Sequence, residues 1–300
     1  MKPTTLKSDL ILLFVATIWG LAFVAQRIGM DHVGPFTFNG LRFVLGCLSL
    51  LPFVFFPGKK TVQNNAGLLK SGLISGVCLF FAISFQQVGI VYTTAGKAGF
   101  ITGLYVIMVP FFGLFFKSET PSTGTWIGAF FASIGLFLLS VTQNMTMEFG
   151  DVLVLVSAVC FTFHLIIIGM LSNRFDAAKL SLIQCLVCAL LSLLTAVVYE
   201  TFVLSDILNI TIPLIYGGVF SVGVAYSLQI YGQKNSPPSH AAIILCLESV
   251  VAAIGGWIIL NELLSGRAIL GCALMLTGML ISQFYSRKKR PAAETLGPLA

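Results

Sequence analysis

The sequence predicts an all-α integral membrane protein with ten transmembrane helices arranged as two inverted five-helix repeats. Three observations carry that prediction. The chain is 57% hydrophobic and only 9% charged, whereas an ordinary soluble domain carries roughly 25% charged residues. Its apolar residues fall into ten stretches near the length needed to cross a bilayer, about 20 residues each. A shift of 143 positions lays the first half on the second without a gap from Ala82 to Gly135: Ser84, Gln86 and Gly89 fall on Ser227, Gln229 and Gly232, and Gly128 and Gly135 on Gly271 and Gly278.

Lipid offers the backbone no hydrogen-bond partner, so each span must be helical. The expected spans are 8–29, 35–57, 68–90, 95–116, 122–141, 150–172, 179–200, 212–233, 239–260 and 266–286. They divide into a first repeat, 8–141, and a second, 150–286, followed by a basic, disordered tail at 287–300. Connections such as Met30–Gly34 and Val91–Thr94 are too short to hold a soluble domain. The stretch Leu10–Ile28 is too long for a signal-peptide core and reads as retained.

Orientation follows from Lys and Arg. With the N-terminus inside, thirteen of them lie on the inner side, including Lys59, Lys60, Lys117, Lys179, Lys234 and the run Arg287–Arg290. Only Arg27, Lys97 and Arg267 lie outside, and Arg42 sits within a span. Both termini are therefore expected in the cytoplasm. Five spans per half is an odd number, so the second repeat enters from the opposite side. The basic C-terminal run reads as a membrane-surface anchor rather than a nucleic-acid patch.

No catalytic constellation, phosphate-binding loop or metal-ligand spacing is visible, so neither an enzyme nor a cofactor is expected. The seven cysteines fall inside apolar spans and read as reduced packing residues. Polar groups within spans remain, and these are costly unless they face a cavity or the bundle interior. Gln86 and Gln229 are repeat mates suited either to interhelical hydrogen bonds or to a cavity. Lys97 opens the fourth span among Gly96, Gly99 and Gly103, where a cation could meet an anionic group; its mate His240 reads as an interface side chain. Tyr105 and Glu248 are mates deep in their spans, with Glu248 open to a ligand amine, to proton coupling, or to a structural pair with Lys97 or Arg42.

The helical stripe Val15, Trp19, Ala22, Gln26 corresponds to Ser157, Phe161, His164, Ile168 at an offset of 142. Trp19 could stack on a ligand, and His164 lies in mid-span. Arg42 reads as a structural, internally paired residue. Glu119 and Glu262 sit at helix N-termini, where a carboxylate suits the helix dipole, as caps or gating elements. Small-residue spacings at Gly72/Gly76, Gly99/Gly103 and Gly124/Gly128 permit close helix contact and would also suit a homodimer.

The run Ile18-Trp19-Gly20-Leu21-Ala22-Phe23, then Arg42, then Thr94-Ala95-Gly96-Lys97-Ala98-Gly99-Phe100-Ile101-Thr102-Gly103-Leu104 resembles the EamA branch of the drug/metabolite transporter superfamily. So do the Glu-bearing loops Lys117–Pro121 and Leu260–Ser265. The resemblance covers about 8–286. It implies two inverted EamA repeats in a bacterial inner membrane, a central cavity, and alternating-access transport of a small-molecule substrate. Amino acids and other small polar metabolites, often exported, are the typical cargo. Drug-like compounds or nucleotide-linked sugars are the alternative within transporters, and a non-transporting sensor or scaffold is the alternative outside them. The cavity is expected to be lined by Trp19, Gln86, Lys97, Tyr105, His164, Tyr226, Gln229 and Glu248. It would be asymmetric, because Phe161-Thr162 stands opposite Trp19-Gly20 and His240 opposite Lys97.

Overall fold

The computed structural model describes residues 3–55, 65–93, 95–116, 120–140, 148–259 and 265–288. Among these residues the structure is helical throughout, with no strand. The helices are α1 (Pro3–Gly29), α2 (Pro35–Phe55), α3 (Asn65–Tyr92), α4 (Ala95–Gly103), α5 (Tyr105–Phe115), α6 (Thr123–Ser140), α7 (Phe149–Leu171) and α8 (Ala177–Tyr199). After them come α9 (Leu204–Asn209), α10 (Thr211–Ile215), a π-helix (Tyr216–Ala225), α11 (Tyr226–Gln233), α12 (Pro238–Leu245), α13 (Glu248–Ile259) and α14 (Gly266–Lys288). Eight helical stretches are long and apolar enough to cross a membrane, while Thr123–Leu138 and Gly266–Ser282 are apolar but shorter. α14 runs through Arg287 and Lys288, the first two residues of the expected tail, because the helix continues into its basic end. Glu119 and Glu262 lie outside the described residues.

Helix ends use the caps their sequences provide. Asp176 accepts from the Lys179 amide at the start of α8 (3.1 Å). Glu148 and Asp151 form a capping box on α7, satisfying amides that have no partner within the helix. Glu200, at the end of α8, takes the Phe36 and Thr37 amides of α2 at 2.9 and 2.7 Å, pinning the start of α2 to the end of α8.

Two spans that read as continuous are broken. The fourth breaks at Leu104, whose amide bonds the Ile101 carbonyl three residues back at 3.2 Å; the ninth breaks at Cys246–Leu247, where the Leu247 amide bonds Ile244 at 3.2 Å. Leu104 and Leu247 are repeat mates, and so are Ile101 and Ile244. The eighth span departs differently, running as a π-helix over Tyr216–Ala225, whereas the corresponding part of α3 is regular α-helix. Local tightening and π-turns of this kind concentrate at functional positions.

Packing reciprocates between the halves. α6 lies along its mate α14, and α2 along its mate α8; α3 packs on α7 as the π-helix and α11 pack on α1. Glycines allow the closest of these approaches. A Cβ on Gly128 would lie 2.7 Å from the Gly278 carbonyl oxygen, and one on Gly135 2.5 Å from that of Gly271; the repeat shift exchanges the two contacts. Gly72 and Gly76 face Ile183 and Val187 of α8, and Gly103 faces Leu136 and Ser249, so these small-residue stripes are occupied within the chain. The largest buried cluster joins Leu12, Val15 and Ile18 of α1 to Val106 and Val109 of α5 and to Ile243–Leu247 around α12. Large apolar side chains such as Phe53, Phe130, Leu194, Ile258 and Phe284 point outward, as a lipid-facing surface requires.

Candidate functional site

The broken spans meet at their breaks. α4 packs on α13 and α5 on α12, which brings the residues just past each break together. The Tyr105 hydroxyl donates to Oε1 of Glu248 at 3.0 Å, and both residues are buried. Residues 143 apart in sequence thus become direct neighbours at the centre of the bundle.

A cavity of about 40 Å³ opens beside this pair. It is lined by Trp19, Ala22, Phe23 and Gln26 of α1, Arg42 of α2, Gln86 of α3, Thr102 and Tyr105, Phe161, His164 and Leu165 of α7, Ser221 and Tyr226, Gln229, Leu245 and Glu248. Seven of the eight residues expected to line a cavity do so: Trp19, Gln86, Tyr105, His164, Tyr226, Gln229 and Glu248. For the eighth, Lys97, the backbone lies in α4 and the side chain lies outside the described residues.

Several of the polar groups are held by neighbours, and others are left without a partner. The indole N–H of Trp19 donates to the Ser221 carbonyl in the π-helix at 3.1 Å, and its ring meets Tyr226 with centroids 5.0 Å apart. The Gln86 amide nitrogen donates to Thr102 at 3.0 Å, while Oε1 of Gln229 is buried without a partner. Nε2 of His164 lies 3.0 Å from Oε1 of Gln184. That oxygen can only accept, so Nε2 carries the proton. Nδ1 is left an unpartnered acceptor, with the ring edge-on to Tyr226.

Arg42 departs from the structural, internally paired role expected of it. It is 3% exposed and lines the cavity, and among the described residues no carboxylate lies within ion-pair distance of it. Its Nε has no hydrogen-bond partner, and its guanidinium sits over the Phe38 and Phe43 rings at 5.6 and 5.5 Å. Glu248 pairs with Tyr105 rather than with Arg42. Being a charge inside a span was the sequence signal that Arg42 belongs to a cavity. Gln26, Phe23, Thr102 and Ser221 also join the lining. Gln26 ends the stripe that begins at Val15, but nothing local marks the other three.

His240 is not an interface side chain. It is buried, with Nε2 3.1 Å from Oδ1 of Asp9 and Nδ1 3.1 Å from the Ser282 hydroxyl, tying α1, α12 and α14 together. The repeat mate of Asp9 at the stripe's offset of 142 is Asp151, which instead accepts from the Thr93 hydroxyl at 2.6 Å. The cysteines are free and fill packing positions; Cys188, for example, donates to the Gly76 carbonyl.

Long apolar helices wrapped around a central cavity lined by several polar side chains define a multi-pass membrane protein. The chain belongs to the EamA-like transporter family, which matches it twice, over residues 6–141 and 148–284. It is similar to a protein described as an uncharacterized transporter from Archaeoglobus fulgidus, at 31% identity over 92% of this chain and 85% of that one. It is also similar to a protein of Escherichia coli K12 described as a probable amino-acid metabolite efflux pump, at 25% identity over 95% of this chain and 97% of that one. A protein of known crystal structure shares the fold, with a TM-score of 0.77 at 17% identity over 95% of this chain and 99% of its own.

Proposed function

We propose that this protein is a secondary transporter that exports small polar metabolites, amino acids in particular, by alternating access. The observation that carries this reading is the central cavity, to which both halves contribute polar side chains at matched positions. A volume of about 40 Å³ holds a few water molecules and no metabolite, which suits an occluded conformation whose helices must part to load cargo. The paired breaks at Leu104 and Leu247 lie where such parting would bend the spans, and discontinuous helices frame the substrate sites of many carriers. The similarity to an amino-acid metabolite efflux pump favours export of amino acids.

The same reading holds the ten helices to be spans of two inverted repeats, 8–141 and 150–286, in a bacterial inner membrane with both termini cytoplasmic. The reciprocal glycine contacts and the matched breaks support a two-fold relation between halves, and the Lys/Arg asymmetry supports the orientation. α14 has 23 residues, about 34 Å at 1.5 Å per residue, enough to cross despite its polar end. Saturable, substrate-selective flux in proteoliposomes carrying the purified chain is the expected result. Absence of such flux across amino acids, polyamines, nucleosides and sugars would overturn the reading.

A further inference from the structure

We infer that Arg42 and Glu248 are the two poles of a zwitterion site, with Arg42 taking the substrate's carboxylate and Glu248 its ammonium group. This rests on the carrier reading above and narrows its cargo to small molecules bearing both charges.

A guanidinium withdrawn from water without a counter-charge is among the least favourable groups a membrane protein can hold. Arg42 is such a group, 3% exposed, with Nε unpartnered and no carboxylate of the described residues in ion-pair reach. The Phe38 and Phe43 rings beneath it hold the guanidinium plane in place. They cannot satisfy its N–H donors, and the residue lines a cavity. A planar fork of donors is matched by a carboxylate.

Glu248 lines the same cavity from the opposite repeat. Its hydrogen bond is the one from the Tyr105 hydroxyl, and a carboxylate has about four acceptor positions, so it retains capacity for an ammonium group. Arg42 and Glu248 line one cavity of about 40 Å³ yet do not pair with each other. A molecule bridging them satisfies both without changing the net charge of the site. Trp19, Phe161 and Tyr226 supply apolar wall to the same cavity, against which a side chain or methylene chain can lie. Neutral sugars and purely cationic amines would leave Arg42 unpaired.

The test uses the full chain in proteoliposomes with the twenty proteinogenic L-amino acids, followed by the amide and the deaminated acid of each one that gives saturable flux. The wild type is expected to prefer the free amino acid over its amide by about tenfold or more, the factor that one charge-assisted hydrogen bond supports. Arg42→Gln should raise KM for the amino acid far more than for the amide and bring that ratio close to one, with Arg42→Lys retaining part of it. Glu248→Gln should bring the ratio of amino acid to deaminated acid close to one instead. A folded Arg42→Gln protein that keeps the wild-type acid-to-amide ratio would overturn the inference. Wild-type transport of amides as efficient as that of free acids would do so as well, with no variant needed. Flux of nucleosides, sugars or polyamines but of no amino acid would overturn the zwitterion site and leave the carrier standing, whereas no flux of any kind would remove both.

Discussion

Two pairs of repeat mates meet face to face in this protein, and they meet in opposite ways. α6 and α14 touch backbone to backbone through Gly128–Gly278 and Gly135–Gly271, and the sequence is glycine at all four positions. The broken fourth and ninth spans touch through side chains, Tyr105 on Glu248, and there the mates differ. Where two helices approach too closely for any Cβ, duplication leaves one workable residue. Where they touch through side chains beside a cavity, each copy is free to change, and here the change places a donor on one side and a carboxylate on the other. The periphery holds the halves together and the centre distinguishes what they hold.

The largest effect should come from filling the peripheral contact. A Cβ at position 278 would lie 2.5 Å from the Gly128 oxygen and 2.9 Å from the Ala132 nitrogen, backbone atoms fixed in a helix. Gly278→Leu is expected to destabilise the protein by about 3 kcal/mol or more, seen as a lower thermal midpoint in detergent and loss of the monodisperse species. Gly135→Leu should match it, because its contact with Gly271 is the exchanged one. Markedly unequal losses would break the comparison.

Next comes the centre. Glu248→Gln keeps an acceptor for Tyr105 and removes the charge, so stability should move by no more than about 1 kcal/mol while flux falls about tenfold or more. A large loss of stability with flux per folded molecule preserved would place Glu248 with the peripheral glycines. Tyr105→Phe removes one donor from a buried carboxylate, with an expected cost of about 1–2 kcal/mol and a smaller fall in flux. Exchanging the pair, Tyr105→Glu with Glu248→Tyr, should recover part of the lost stability in a double-mutant cycle, because the residues face each other across the join of the two repeats. The smallest effect belongs to Gly99→Ala, whose Cβ would lie 3.7 Å from that of Ala252, an ordinary contact. A stability change within about 0.5 kcal/mol is expected, which would separate glycines that merely share a spacing from those that share a surface.

What could be read without a structure was whatever the bilayer enforces on each segment by itself. Spans are local, because every apolar stretch must satisfy its own backbone in lipid. The repeat is a matter of register alone. The intramembrane polar residues announce a cavity by their cost, which is why Gln86, His164, Gln229 and Glu248 were found. The same rule applied to Arg42, but the sequence cannot show whether a carboxylate lies near a given guanidinium, and among the described residues none does.

The remaining features depend on which helices become neighbours. The Asp9–His240–Ser282 cluster joins α1, α12 and α14, and its components look unremarkable until the bundle places Asp9 and Ser282 each 3.1 Å from His240. Gly103 precedes the break at Leu104, but its mate at the other break is Cys246, so no shared glycine or proline marks the two. They lie where the halves of one broken helix pack on those of the other, next to the Tyr105–Glu248 contact. Sequence alone determined that this chain lives in a membrane and was built twice, because hydropathy and register are properties of the chain read in line. Tertiary structure alone decided that Tyr105 would meet Glu248 and that Arg42 would be left without a partner, because pairing is a property of packed neighbours, here brought together from 143 residues apart.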